Sequence, residues 1–255
     1  MKIEVLYPEI ANLFGDHFQM NFLAQSMPDA VFYRTSLHEP PRFMTEDVNM
    51  IYMGPTTEDG LEMIIEKLMP CKERLKELIE KDVVMLMTGN AFEVFGKGIE
   101  IAEEIPGGPS SGKEEGRVIE CLGLFDYHSV RRMMHRYNTL FLGSYETEEK
   151  NLIDVVGFKA EFSYTYGDNS EHYCFKGERG FGIHPDTMLE GFRYHNFFGT
   201  YLNGPLLINN PLFAKDLLKK AGAGDVKLAF EKQAMDAYEA KLKQFKDPKI
   251  EYVEE

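Results

Sequence analysis

One stretch restricts the fold of this chain more than any other: Val83-Val84-Met85-Leu86-Met87-Thr88-Gly89-Asn90-Ala91-Phe92-Glu93-Val94-Phe95-Gly96. An apolar run of buried-strand length stops at Thr88-Gly89-Asn90. A short helical pattern follows and closes at Gly96 and Gly98, residues that helix C-termini favour. A strand that turns sharply into a helix is where many α/β enzymes hold a nucleophile. The turn exposes one side chain, and the unpaired N–H groups of the helix face a developing oxyanion. This turn carries no Ser and no Cys. The frame for nucleophilic chemistry is there and its reactive atom is missing.

The flanking pattern extends that frame. Residues 3–7, 30–35 and 49–54 read as strands, set off by Pro8, Pro28-Asp29 and Gly54-Pro55. A helix is expected over 21–26. Thr56 with Asp59 resembles a capping box, and Leu61, Ile64, Ile65 and Leu68 share one helical face. Pro70 should interrupt that helix, and Leu75, Leu78 and Ile79 continue the stripe. Strand and helix in alternation predict a mostly parallel sheet with helices on both faces. Ligands of such sheets sit at the carboxyl ends of the strands, where Gly15-Asp16, Gly54-Pro55 and Thr88-Gly89-Asn90 converge.

From Arg117 to Phe175 the pattern turns β-rich, with strands over 118–121, 139–145 and 152–158. Residues 161–172 read as a loop able to reach over the site. Arg131, Arg132, His135 and Arg136 form a basic cluster, read as a solvated face or a contact for an acidic partner or ligand. Residues 197–202 return as a strand. Asn210-Pro211 is expected to cap and open a helix ending at Lys219-Lys220 and Gly222. Asp225 would cap a last helix with Val226, Phe230, Ala234, Ala237 and Leu242 as its stripe. The expected division is a domain over 1–222 and a C-terminal helix and tail over 223–255.

A formal charge of −14 and a pI near 5.0 argue against non-specific binding to nucleic acid or anionic membranes, which needs basic patches. No apolar run approaches a membrane span, and residues 1–5 enter a strand without a signal-peptide pattern, so a cytoplasmic location is expected. Cys71, Cys121 and Cys174 are scattered and form no C-x-x-C spacing. No metal and no cofactor is called for. Gly107, Gly112 and Lys113 match phosphate-loop spacing, but Glu114 stands where Ser or Thr must bind magnesium, so a surface loop is expected there.

Taken together, several segments resemble the class I glutamine amidotransferases, in the branch holding the glutaminase domain of cobyric acid synthase and the glutaminase subunit of lipid II isoglutaminyl synthase. The most specific match is Glu190-Gly191-Phe192-Arg193-Tyr194-His195-Asn196-Phe197-Phe198-Gly199-Thr200-Tyr201-Leu202-Asn203-Gly204-Pro205-Leu206-Leu207. The family has E-G-x-x-x-G-N-x-x-G-T-Y-L-H-G-P-L-L there, followed by N-P, as at Asn210-Pro211. Asn12-Leu13-Phe14-Gly15-Asp16, Leu122-Gly123-Leu124-Phe125-Asp126 and Val156-Gly157-Phe158 resemble further family segments in the same order. The resemblance spans about residues 1 to 220. It implies a three-layer, flavodoxin-like α/β fold, with a mostly parallel central sheet flanked by helices, extra β segments and a C-terminal helical extension.

At the catalytic positions the chain departs from the family. Aligned to C-G-G-Y-Q-x-L-G, the nucleophilic Cys falls on Gly89 and the Gln on Glu93. The catalytic His falls on Asn203, and the oxyanion-loop glycines fall on residues 53–57, with Pro55 replacing one N–H donor. Glutamine hydrolysis needs a thiolate and a base that activates it and then protonates departing ammonia. Gly89 offers no nucleophile, and Asn203 does not titrate near neutrality. The resemblance therefore implies a non-hydrolytic protein with Gly54, Thr56, Thr88, Gly89, Asn90, Glu93 and Asn203 around the old glutamine pocket. Gly54, Gly89 and Asn90 would suit a carboxylate or phosphate, while Glu93 either caps the helix or rejects the family's substrate. In the family this subunit docks onto a Mur-ligase-like synthetase that amidates a cell-wall precursor, so the resemblance implies such a partner. Two alternatives stand beside the non-hydrolytic subunit. One is a small-molecule sensor using the vestigial pocket. The other is an active amidotransferase or other hydrolase with a relocated nucleophile, such as Thr88 paired with one of the histidines.

Overall fold

The computed structural model describes residues 1–103 and 116–254, so the phosphate-loop-like segment 105–114 lies outside the described residues. β1 (Lys2–Leu6) runs through a 3-10 turn (Leu13–Gly15) into α1 (His17–Ser26), which starts earlier than expected. β2 (Val31–Thr35), β3 (Met50–Met53), α2 (Glu58–Leu68), α3 (Lys72–Glu80) and β4 (Val84–Thr88) follow. Leu61, Ile64, Ile65 and Leu68 are buried on α2 and Leu75, Leu78 and Ile79 on α3, as the stripes predict. Burying each stabilises the fold by about 2 kcal/mol. Pro70 separates the two helices with a 3-10 turn at Met69–Cys71. The helix cap falls one residue later than the capping-box spacing: the Thr57 hydroxyl accepts the Gly60 N–H at 3.2 Å.

The middle of the chain is built of β5 (Gly98–Glu103), β6 (Val118–Glu120), β7 (His128–Arg132), β8 (Tyr137–Glu146), β9 (Leu152–Glu161), β10 (Ser163–Tyr166), β11 (Phe175–Arg179) and β12 (Leu189–Glu190). It then returns through β13 (Phe192–Tyr194) and β14 (Phe197–Thr200) to the main sheet. Thereafter come α4 (Leu206–Asn209), α5 (Pro211–Lys220), α6 (Glu231–Phe245) and β15 (Val253–Glu254).

Six strands form the central sheet in the order β13-β14-β4-β3-β1-β2, parallel from β14 to β2 and antiparallel only at the β13 edge. The order 2-1-3-4 is that of flavodoxin-like sheets. Alternation along β4 sends Met85 and Met87 into the core under α2 and α3, and Val84 and Leu86 into the core under α1 and α5. Both faces are covered, which is why the strand is apolar without a break. The carboxyl ends of β1, β3, β4 and β14 gather at one edge.

Two smaller sheets, β10-β7-β5-β6 and β12-β11-β8-β15 with β9 on β8, occupy the region read as β-rich. Residues 163–166 are a strand rather than the expected loop. β9 pairs with β8 from Leu152 to Glu161, and only Phe162 separates it from β10. That short link carries Glu161, Phe162 and Ser163 to the carboxyl edge of the central sheet.

Two helix starts differ from the sequence reading. Asn210 does not cap α5 with its side chain: its amide donates to the Val156 carbonyl and accepts the Val156 N–H, both at 2.8 Å. An amide carries a donor and an acceptor, so it docks on β9 as another strand would. α6 begins at Glu231, not near Asp225. Phe230 precedes it at φ +51° and is 67% exposed, so it is no part of the stripe. Tyr238 and Phe245 of α6 pack on Leu142 of β8 and Val156 of β9. Among the described residues no helix is long and apolar enough to cross a membrane.

Candidate functional site

β4 ends at Thr88 and the chain reverses at Gly89, whose φ of +58° only glycine adopts without strain. The segment that follows, Gly89–Phe95, is a 3-10 helix instead of the expected α-helical turn. A Cβ built on Gly89 would lie 2.5 Å from the Pro55 Cβ and 2.9 Å from the Asn203 Oδ1. The positions that the sequence aligns with oxyanion loop and base thus both border the one it aligns with the nucleophile. Asn90 ties the elbow to the β3 loop: its Oδ1 accepts the Thr56 N–H at 3.0 Å and its Nδ2 donates to the Thr56 carbonyl at 2.9 Å. Pro55 has no N–H and the Thr56 N–H is engaged, so this loop offers an anion little.

Beneath the elbow sits a buried polar cluster with Asp16 at its centre. Thr88 Oγ1 donates to Asp16 Oδ2 and Gln19 Nε2 donates to Asp16 Oδ1, each at 2.8 Å. Gln19 also donates to the Tyr52 hydroxyl at 2.7 Å and accepts the Leu207 N–H at 3.1 Å. Burial pushes the Asp16 carboxyl up to about 7 against the pull of these donors. Thr88 is therefore not the self-bonded turn residue that its position predicts. Gly54 faces the same cluster, since a Cβ there would meet Asp16 Oδ2 and the Ala11 carbonyl at 2.7 Å each. Neither Gly54 nor Thr88 reaches the cavity above.

That cavity, about 190 Å³, is lined by Thr56, Gly89, Asn90, Glu93 and Asn203 among the residues expected there. It is also lined by Glu161, Phe162 and Ser163, from the start of the segment expected to reach over the site, by Arg136 of the basic cluster, and by Glu58, which the sequence reading did not place. Glu93 does not cap a first turn; the 3-10 winding directs it inward, where it is 1% exposed and accepts the Tyr201 hydroxyl at 2.9 Å. Burial raises its carboxyl to about 7, more than the nearby Arg131 charge lowers it. Glu161, at the end of β9, is 6% exposed, and burial raises its carboxyl well above the usual range. Neither Glu161 oxygen, nor Glu93 Oε2, nor Asn203 Oδ1 has a hydrogen-bond partner among the described residues.

The basic cluster is not a uniformly solvated face. Arg131 is buried, 3.5 Å from Glu62, while Arg132 and His135 face Glu103 at 3.6 and 3.4 Å. Arg136 reaches the cavity wall, its guanidinium 5.8 Å from the Phe14 ring centre and 5.5 Å from that of Phe162. His195 lies at the opposite end of β4, its Nδ1 3.0 Å from Asp82 Oδ1. The cysteines are free and buried, none lines the cavity, and burial raises all three thiols, Cys121 to about 12.

Comparison with known proteins places this geometry. No family model matches the chain. The GatD subunit of lipid II isoglutaminyl synthase (glutamine-hydrolyzing) from Staphylococcus aureus (strain N315) is 24% identical over 187 residues, 72% of this chain and 68% of the relative. The GatD subunit of the same name from Streptococcus pneumoniae (strain ATCC BAA-255 / R6) is 24% identical over 237 residues, 89% of this chain and 84% of the relative. In fold, the structure of PurLQS from Thermotoga maritima superposes over 94% of this chain and 98% of its own, with a TM-score of 0.52 at 11% identity. By its relatives and its three-layer fold, this chain is similar to glutamine amidotransferases and, in sequence, to GatD subunits.

Proposed function

We propose that this chain is a binding subunit that does not hydrolyse glutamine, acting with a synthetase related to the one its GatD relatives belong to. The observation that carries this is the elbow itself. Gly89 supplies no nucleophile, and Pro55 and Asn203 fill the space a nucleophile's Cβ would need. Without a thiolate no acyl intermediate forms, and without a titrating partner at position 203 no proton is moved. A relocated Thr88 nucleophile is the weaker reading, because its hydroxyl is committed to Asp16 and histidine is absent from the residues lining the cavity.

The test is ammonia release from glutamine by the pure chain, alone and with a co-encoded Mur-ligase-like synthetase. None is expected, and turnover by the wild type would overturn the reading. A Gly89→Cys/Asn203→His double variant should remain inert because Pro55 blocks the new side chain. Adding Pro55→Gly removes that obstacle and is the combination in which activity should first appear. Co-purification of the chain with that synthetase would support the subunit role.

A further inference from the structure

We infer that the cavity above Gly89 binds a small molecule with a primary ammonium group, received by Glu93 and Glu161, and a carboxylate directed to Arg136. This deepens the proposed function and rests on its premise that the cavity binds without hydrolysing. The structural reason is an imbalance of donors and acceptors. Four acceptor atoms of residues lining the cavity are unpartnered among the described residues: both Glu161 oxygens, Glu93 Oε2 and Asn203 Oδ1. All three residues are more than nine-tenths buried. Leaving such groups unpaired is costly, so sites that keep them keep them for something that donates.

The chemistry narrows what that donor is. Glu58, Glu93 and Glu161 line the cavity against Arg136 as its one basic residue, which disfavours a ligand of net negative charge. A metal ion is not indicated, since no group of three His, Cys, Asp or Glu converges to hold one among the described residues. A neutral amide terminus offers two donors and no charge, whereas an alkylammonium offers three donors and a full charge. Arg136, within cation–π reach of Phe14 and Phe162 and without a carboxylate partner among the described residues, supplies the opposite end. The pattern fits a zwitterion of the basic amino-acid type.

A second consequence follows from the buried carboxyls. Glu93, facing Arg131, Tyr201, Glu58 and Ser163, is raised to about 7. Glu161, facing Lys159, Glu190 and Glu93, is raised well above its ordinary range. A cation that arrives favours their charged forms, so protons leave as it binds and affinity rises from pH 6 to pH 8.

Calorimetric titration of the full chain tests this, with L-ornithine, L-lysine, putrescine and L-glutamine as probes. Two buffers of different ionisation enthalpy read proton release, and ammonia is assayed in the same samples. Ornithine or lysine should bind with proton release, and putrescine, lacking the carboxylate, should bind about tenfold more weakly. Glu161→Gln and Glu93→Gln should each weaken ornithine by about tenfold or more, and Arg136→Gln should bring ornithine down to the level of putrescine. The two Glu→Gln substitutions preserve side-chain size, and Glu161→Gln removes a buried acid with no partner to lose. No binding by any amine, glutamine binding more tightly than ornithine, or amine binding unaltered in both Glu variants would overturn the inference. Ammonia release reads on the proposed function alone, because amine binding is measured separately.

Discussion

Two buried acids flank the same elbow and share the same perturbation, yet their surroundings are opposite. Asp16 lies beneath Gly89 and Glu93 beside it, and burial raises both carboxyls to about 7. Asp16 is surrounded by donors: Thr88, Gln19 and, through Gln19, Tyr52 and Leu207 complete a closed network. Glu93 accepts from Tyr201 and faces Ser163 and Arg131, but its Oε2, both Glu161 oxygens and Asn203 Oδ1 have no hydrogen-bond partner among the described residues. A shifted carboxyl therefore does not by itself mark a site. The satisfied cluster holds β1, β3, β4 and α1 together, whereas the unsatisfied one faces a cavity. Buried polar networks stabilise when complete, and when incomplete they cost the fold something.

The largest test of that contrast is Asp16→Ala. It leaves the Thr88 and Gln19 donors buried without an acceptor and should cost about 3 kcal/mol in urea unfolding. Asp16→Asn keeps one carbonyl oxygen and should cost less than half as much. A loss under about 1 kcal/mol for the alanine variant would show the network to be dispensable. Gly89→Ala comes next, at about 2 kcal/mol, from positive-φ strain plus the contact with Pro55. Pro55→Gly in the same chain should return the steric part and leave the strain. Full recovery would mean that the turn itself is relaxed.

The pH dependence of stability joins the two clusters. Asp16 is raised from 3.8 and Glu93 from 4.5, each to about 7. Across that window the folded chain holds protons that the unfolded chain has released. Their contribution is full below about pH 4 and is lost as pH rises through about 7. Asp16→Asn combined with Glu93→Gln should flatten this part of the curve. A slope unchanged by the pair would assign the fall to other groups.

How much of this could be read beforehand depended on how far apart in sequence the contacts lie. The β4 strand and its turn were legible because burial on both faces leaves an unbroken apolar run, and Gly89 because one residue sets the turn. The sheet followed from strand–helix alternation. The satisfied cluster was not legible: Thr88 meets Asp16 across 72 residues, and nothing local at Thr88 distinguishes that bond from a turn bond to its own backbone. Glu93 lines the cavity as expected, but it is no helix cap, because the 3-10 winding after Gly89 turns it inward. The exact inward placement of Glu161 and Arg136 is not legible for a third reason. Their position depends on the β8–β9 register and the one-residue link to β10, and a shift by one residue would send Glu161 to the other face.

Glu161 offers the smallest expected effect and the most direct comparison with Asp16. Both are buried acids near the elbow, but no hydrogen bond within the described protein is lost when Glu161 becomes Gln. The amide is neutral, so the desolvation that raises the carboxyl disappears, and its Nε2 adds a donor to a cavity that has unpartnered acceptors. The change should be neutral or stabilising by up to about 1 kcal/mol, against the cost predicted for Asp16→Ala. Thermal and urea unfolding near pH 7 decide it. A loss of 2 kcal/mol or more would mean that Glu161 is a structural acid like Asp16, and that the two clusters differ only in which partners are seen. A neutral result, with ornithine binding weakened in the same variant, would separate an acid kept for the fold from an acid kept for a ligand.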